Sequence, residues 1–166
     1  AMLRAAEREG LPLVEASPPP PRWLEGGEEL DHGLLVPLYY LDQAFETLMV
    51  SLSISALSYR EHFRLGNVAA AACKDLGRRA VFVASGDLSH RLLKGAPAGY
   101  SPRGAEFDET IRDIAARGDF ASLEKIPEDL VEEAGECGFR SIYAMWGALN
   151  NGSLSSEVLS DRKSVV

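Results

Sequence analysis

The chain has 166 residues, of which 46% are hydrophobic and 25% charged. That composition excludes a disordered, collagen-like or coiled-coil chain and fits one soluble domain. Seventeen basic residues against 25 acidic ones leave a net charge of −8, which argues against nucleic acid as a partner, because each phosphate contact needs a Lys or Arg. Two isolated cysteines, Cys73 and Cys137, fit a reducing cytoplasm. No window approaches the apolar length of a membrane span, and no signal-peptide core follows the start. A cytoplasmic, single-domain protein without a membrane partner is expected.

Residues 1–10 read as a short helix with Leu3 and Ala6 on one side, and Leu13 and Val14 as the start of a strand. The run from Ser17 through four prolines cannot be helix or central strand, since proline lacks the N–H and fixes φ. Residues 17–29 are therefore expected to form a Pro- and Gly-rich surface loop. Trp23 is expected to cover the domain surface near it. Asp31 stands where a helix N-cap belongs, ahead of Leu34, Leu35, Leu38 and Leu41 at helical spacing. Pro37 should bend or shorten that helix.

Residues 47–54 (TLMVSLSI) form a short apolar run with β-formers, which predicts a buried strand. Ser58 and Glu61 have the spacing of a capping box. The helix they open carries Phe63, Leu65, Val68, Ala72 and Leu76 and stops at Gly77. Residues 79–84 (RAVFVA) predict a second buried strand. Strand, helix, strand with short joints implies a parallel pair with a right-handed crossover. Beyond the irregular stretch 95–102, helices are expected over 104–117, 119–123, 127–134 and 138–149. Cys73 and Trp146 are expected in the core, and His62 as a structural residue. The fold class expected is α/β with three layers, a central and mostly parallel sheet carrying helices on both faces.

Three constellations carry chemistry. In open α/β sheets ligands bind beyond the carboxyl ends of the strands, which is where Ser85, Asp87, Ser89 and His90 would be delivered, with Gly86 permitting a tight turn. A neutral imidazole at His90 can take a proton from a substrate hydroxyl and return it as a cation; a plain turn followed by a surface helix cap explains the same residues equally well. Asp31-His32-Gly33 offers a histidine at a helix N-terminus, whose dipole disfavours protonation; a capped loop histidine is the simpler alternative. Glu136 and Cys137 place a carboxylate and a thiol before an apolar helix. Carboxylate suits Fe(II), Mn(II) or Mg(II), and thiolate suits zinc or copper. A half-buried cysteine beside a surface glutamate is the alternative.

Several ordered segments carry a family resemblance. Leu30-Asp31-His32-Gly33 through Val36-Pro37-Leu38 resembles the "DHG…VPL" segment of class III extradiol ring-cleavage dioxygenases of the LigB type. Ser85-Gly86-Asp87-Leu88-Ser89-His90 resembles the "SGDLSH" segment of the same superfamily. Glu106-Phe107-Asp108, residues 134–142 and Gly147-Ala148-Leu149 extend the match in the right order. The Gly-Asp-Leu-Ser-His wording leans toward LigB-like proteins grouped with the Memo family and with radical-SAM partners.

The resemblance implies a non-haem Fe(II) held by two histidines and one carboxylate, a catechol-type aromatic diol that chelates it, and O₂ bound alongside. His90 matches the acid/base histidine and His32 the second active-site histidine, with Ser85, Asp87 and Ser89 bordering the substrate. Glu136 matches the carboxylate ligand, with Cys137 as the neighbouring alternative. The family's two ligand histidines lie in N-terminal segments, and residues 1–30 contain no histidine. The chain is thus expected to lack the metal-side half of the site, to be incomplete at both ends and to bind iron weakly alone, with zinc or no metal as alternatives. The other reading of the resemblance is a Memo-like binding or partner-interaction module that keeps the pocket. A homo-oligomer and a radical-SAM system partner are the assemblies it leaves open.

Overall fold

The computed structural model describes residues 1–15, 32–41, 47–150 and 154–160. The expectations for the proline run, Trp23 and the Asp31 cap lie outside them. Six α-helices are described: α1 (Met2–Arg8), α2 (His32–Leu41), α3 (Tyr59–Asp75), α4 (Pro102–Arg117), α5 (Glu128–Ala134) and α6 (Phe139–Leu149), with a 3-10 helix at Phe120–Lys125 between α4 and α5.

The helix starts follow from local chemistry. The Ser58 hydroxyl accepts from the Glu61 N–H, and the Glu61 carboxylate accepts from the Ser58 N–H at 2.8 Å, so the capping box forms as expected. Ser101 caps α4 by accepting from the Arg103 N–H, with Pro102 at the first helical position. That moves the start of α4 two residues ahead of Gly104. Helix α2 runs through Pro37 without a break and has no buried residue.

The main core joins α4, the 3-10 helix, α5 and α6 through side chains such as Phe107, Leu123, Leu130 and Phe139. Tyr59 and Phe63 of α3 pack against it, and Trp146 is partly buried beside Phe63, with ring centroids 4.5 Å apart. A smaller cluster of Ala5, Ala6, Leu11 and Val68 seats α1 on α3. Cys73 is half-buried rather than in the core. His62 is structural as expected: only 3% exposed, its Nδ1 lies 2.9 Å from the Ser58 carbonyl and its Nε2 accepts from the Ser55 N–H.

The expected α/β architecture is not what the described residues form. Among the described residues there is no strand, so no central parallel sheet exists for helices to cover. Residues 48–54 and 79–84 are irregular, and Leu48 is 90% and Val81 88% exposed. Leu13 and Val14 start no strand either. The reason lies in how each element satisfies its backbone. A helix closes its own hydrogen bonds, whereas a strand needs a neighbour on each side, and an isolated pair is marginal in water. The burial potential of an apolar run says nothing about whether a pairing strand is present. The helices instead bury their apolar faces on each other.

Candidate functional site

The loop over residues 85–90 is pinned to the start of α6. The Asp87 carbonyl accepts from the Cys137 N–H at 3.2 Å and the Gly138 N–H at 2.9 Å, satisfying donors that the helix start leaves open. In return the Asp87 N–H donates to the Cys137 sulfur at 3.2 Å. This contact needs glycine at 86, where φ is +153° and a Cβ would fall 2.5 Å from the Gly138 Cα.

The docking gathers three side chains. His90 Nε2 lies 3.6 Å from the Cys137 sulfur and 3.6 Å from Asp87 Oδ2. The ligand atoms of Asp87, His90 and Cys137 all lie within 4.8 Å of one another. Asp87 and Cys137 are exposed and His90 is half-buried, so the cluster opens to solvent. Glu136 is beside it and half-buried. Its carboxylate accepts from the Phe139 N–H and so caps α6. Burial pushes its carboxyl above the ordinary range, against the opposing pull of that N–H, the Arg140 guanidinium and His90.

The metal-ligating group among the described residues does not include His32 or Glu136. Ser89 is 1% exposed and structural: its hydroxyl donates to the Ala134 carbonyl at 2.8 Å, and its N–H donates to Asp108 Oδ1 at 2.8 Å. It pins the loop to α4 and α5. Ser85 is half-buried where the loop begins. His32 is exposed at the start of α2. Asp108 itself was not foreseen as a positioning residue. Its signal was an acid on the apolar stripe of α4, one turn before Ile111, and it is only 8% exposed. Arg140, which pulls on Glu136 and lies 5.1 Å over the Tyr59 ring, was also missed.

The two-histidine, one-carboxylate set that would hold Fe(II) does not come together among the described residues. The cluster supplies one imidazole, one carboxylate and one thiol. The Glu136 carboxylate, which already accepts from the Phe139 N–H, is not part of that cluster, and both ring nitrogens of His62 are engaged by Ser55 and Ser58. The donor set does not fit that ion.

No helix of the described residues is long and apolar enough to cross a membrane. The chain is 40% identical over 132 residues to Protein CA_C1420 of Clostridium acetobutylicum, a match that covers 79% of this chain and 28% of that relative. The family model for the catalytic LigB subunit of aromatic ring-opening dioxygenase matches residues 3–164. With nearly the whole chain matched and the SGDLSH loop docked beside Cys137, the protein belongs to the LigB family of aromatic ring-opening dioxygenases.

Proposed function

We propose that the chain supplies the proton-handling side of a cytoplasmic LigB-type oxygenase that opens catechol-type rings beside the diol, with a small aromatic diol and O₂ as substrates. The observation that carries this reading is the His90 imidazole, held at the open mouth of the loop with the Asp87 carboxylate 3.6 Å away. A neutral imidazole takes the proton of a phenolic hydroxyl, and the nearby carboxylate favours the imidazolium that results. Asp87 can do this because its backbone is locked by α6, which leaves only its side chain free to adjust. Two free cysteines support the reducing compartment.

The test offers protocatechuate and catechol with Fe(II) and O₂ and follows the yellow ring-opened product. His90→Ala should lower its formation by about 10²–10⁴-fold, the usual contribution of a positioned acid/base. An unchanged rate would remove His90 from the chemistry. The second reading, a Memo-like module that binds a partner such as a radical-SAM system protein, is favoured by one observation: the iron-binding set does not assemble among the described residues. Absence of product from every diol, even from a longer chain that carries the native flanking segments, would favour it.

A further inference from the structure

We infer that Asp87, His90 and Cys137 form a site for a thiophilic divalent ion, zinc in the first instance, and not for the Fe(II) that the family resemblance implies. The three donors come from two segments, 47 and 50 positions apart across the loop–α6 junction, so the docked fold and no local sequence motif brings them together.

The distances favour zinc. Bonds of about 2.3 Å to sulfur and about 2.0 Å to nitrogen, held at a tetrahedral angle, separate the two donors by about 3.5 Å. The Cys137 sulfur and His90 Nε2 stand 3.6 Å apart. A nitrogen and a carboxylate oxygen on the same ion are separated by about 3.3 Å, and His90 Nε2 and Asp87 Oδ2 stand 3.6 Å apart. His90 thus stands at ligand-sharing distance from both partners, and the Cys137 sulfur and the Asp87 carboxylate lie within 4.8 Å of each other, within reach of one ion once the exposed Asp87 side chain rotates. Three protein ligands and an open face also match the coordination of zinc sites that keep a water in the fourth position.

The chemistry points the same way. Thiolate selects zinc over the harder Fe(II), which prefers imidazole and carboxylate donors. The Asp87 N–H that donates to the Cys137 sulfur orients it, the role that outer-shell hydrogen bonds play at metal sites. Binding converts the Cys137 thiol to a thiolate with release of its proton, and it leaves Asp87 as carboxylate and His90 as neutral imidazole. Zinc would also occupy the Nε2 lone pair of His90. The proton-transfer role proposed above therefore belongs to the metal-free chain. The ion site itself stands without the ring-cleavage reading, because it is read by metal binding alone.

The experiment titrates the metal-free chain with Co(II), then displaces it with Zn(II). Expected are intense visible bands of a four-coordinate cobalt ion and a thiolate-to-cobalt charge-transfer band, both bleached by one equivalent of Zn(II) per chain. Cys137→Ser should abolish the charge-transfer band, while Cys73→Ser keeps it. His90→Ala and Asp87→Asn should each weaken Zn(II) by at least about 10–100-fold, the loss typical even of outer-shell changes. The Asp87 change leaves its backbone bonds to α6 in place, so an unaltered helical circular dichroism spectrum separates lost ligation from lost folding. A charge-transfer band that survives Cys137→Ser, affinity unchanged in both of the other variants, or Fe(II) that one equivalent of Zn(II) does not displace would each overturn the site. None of these readouts depends on ring cleavage.

Discussion

Tyr143 shows how much of this molecule is decided by the environment of one side chain. It is 5% exposed on α6, stacked on Tyr59 with ring centroids 5.2 Å apart. Burial is the main reason its phenol is pushed up to about 12 from an ordinary 10.0, with Glu124 adding to the effect. A group whose pKa is raised by folding stabilises the native state fully below its unfolded pKa and loses that contribution as pH climbs through the folded value. Stability should therefore fall between about pH 10 and 12, because the unfolded chain gives up this phenolic proton while the native one still holds it. Ultraviolet titration should show one tyrosine ionising last, and Tyr143→Phe should remove that step and flatten the alkaline loss in urea unfolding. A variant that titrates like the parent would place the high phenol elsewhere. Neighbouring residues in the loop divide just as sharply. Ser89 turns inward to Ala134 and Asp108, while His90 turns out to Cys137. The letters Ser-His could not say which of the two would face a ligand, because their partners lie 19 to 47 positions away.

Between elements, the closest approach is that of α3 and α6. Gly66 on α3 faces the Ala144 carbonyl, and Gly147 on α6 faces the Phe63 carbonyl; a Cβ at either position would fall inside the opposing oxygen. The two helices thus meet backbone to backbone through a reciprocal pair of glycines. Two effects compete when either becomes alanine. Helix propensity favours the change by about 1 kcal/mol. Overpacking opposes it by about 1–3 kcal/mol, and here the obstacle is backbone, which cannot rotate aside. Gly147→Ala should therefore lose stability by about 1–2 kcal/mol net, read from guanidinium unfolding by circular dichroism. A gain would mean that the helices can part without cost. These helices were legible in the sequence: the capping box at Ser58 and the apolar spacing of Phe139, Ile142, Met145 and Trp146 are local signals, and local signals suffice for an element that closes its own hydrogen bonds. That Gly66 and Gly147 would touch opposite chains of atoms was not legible, since neither spacing nor composition records a contact 78 and 84 positions away from its partner.

At the scale of the whole molecule, the described residues form no sheet. The two apolar runs need partner strands to be buried, and the described chain does not provide them. Leu48, Val50 and Val81 remain 90%, 73% and 88% exposed, although a fully buried Val or Leu contributes about 1.5–3 kcal/mol. Single exposed apolar residues are ordinary, but neighbouring ones in two extended segments favour association. The net charge of −8 opposes it, because like-charged chains repel. The balance has a defined salt dependence. Screening weakens the repulsion and leaves apolar burial intact, so self-association should rise as salt rises. Sedimentation velocity across a concentration series at low and high salt should show this. The double variant Leu48→Lys with Val81→Lys should remain monomeric at both salts while keeping the helical circular dichroism of the parent. If the parent instead associates at low salt and dissociates at high salt, ion pairs drive the contact. The exposed runs would then be solvated loops and not adhesive surface.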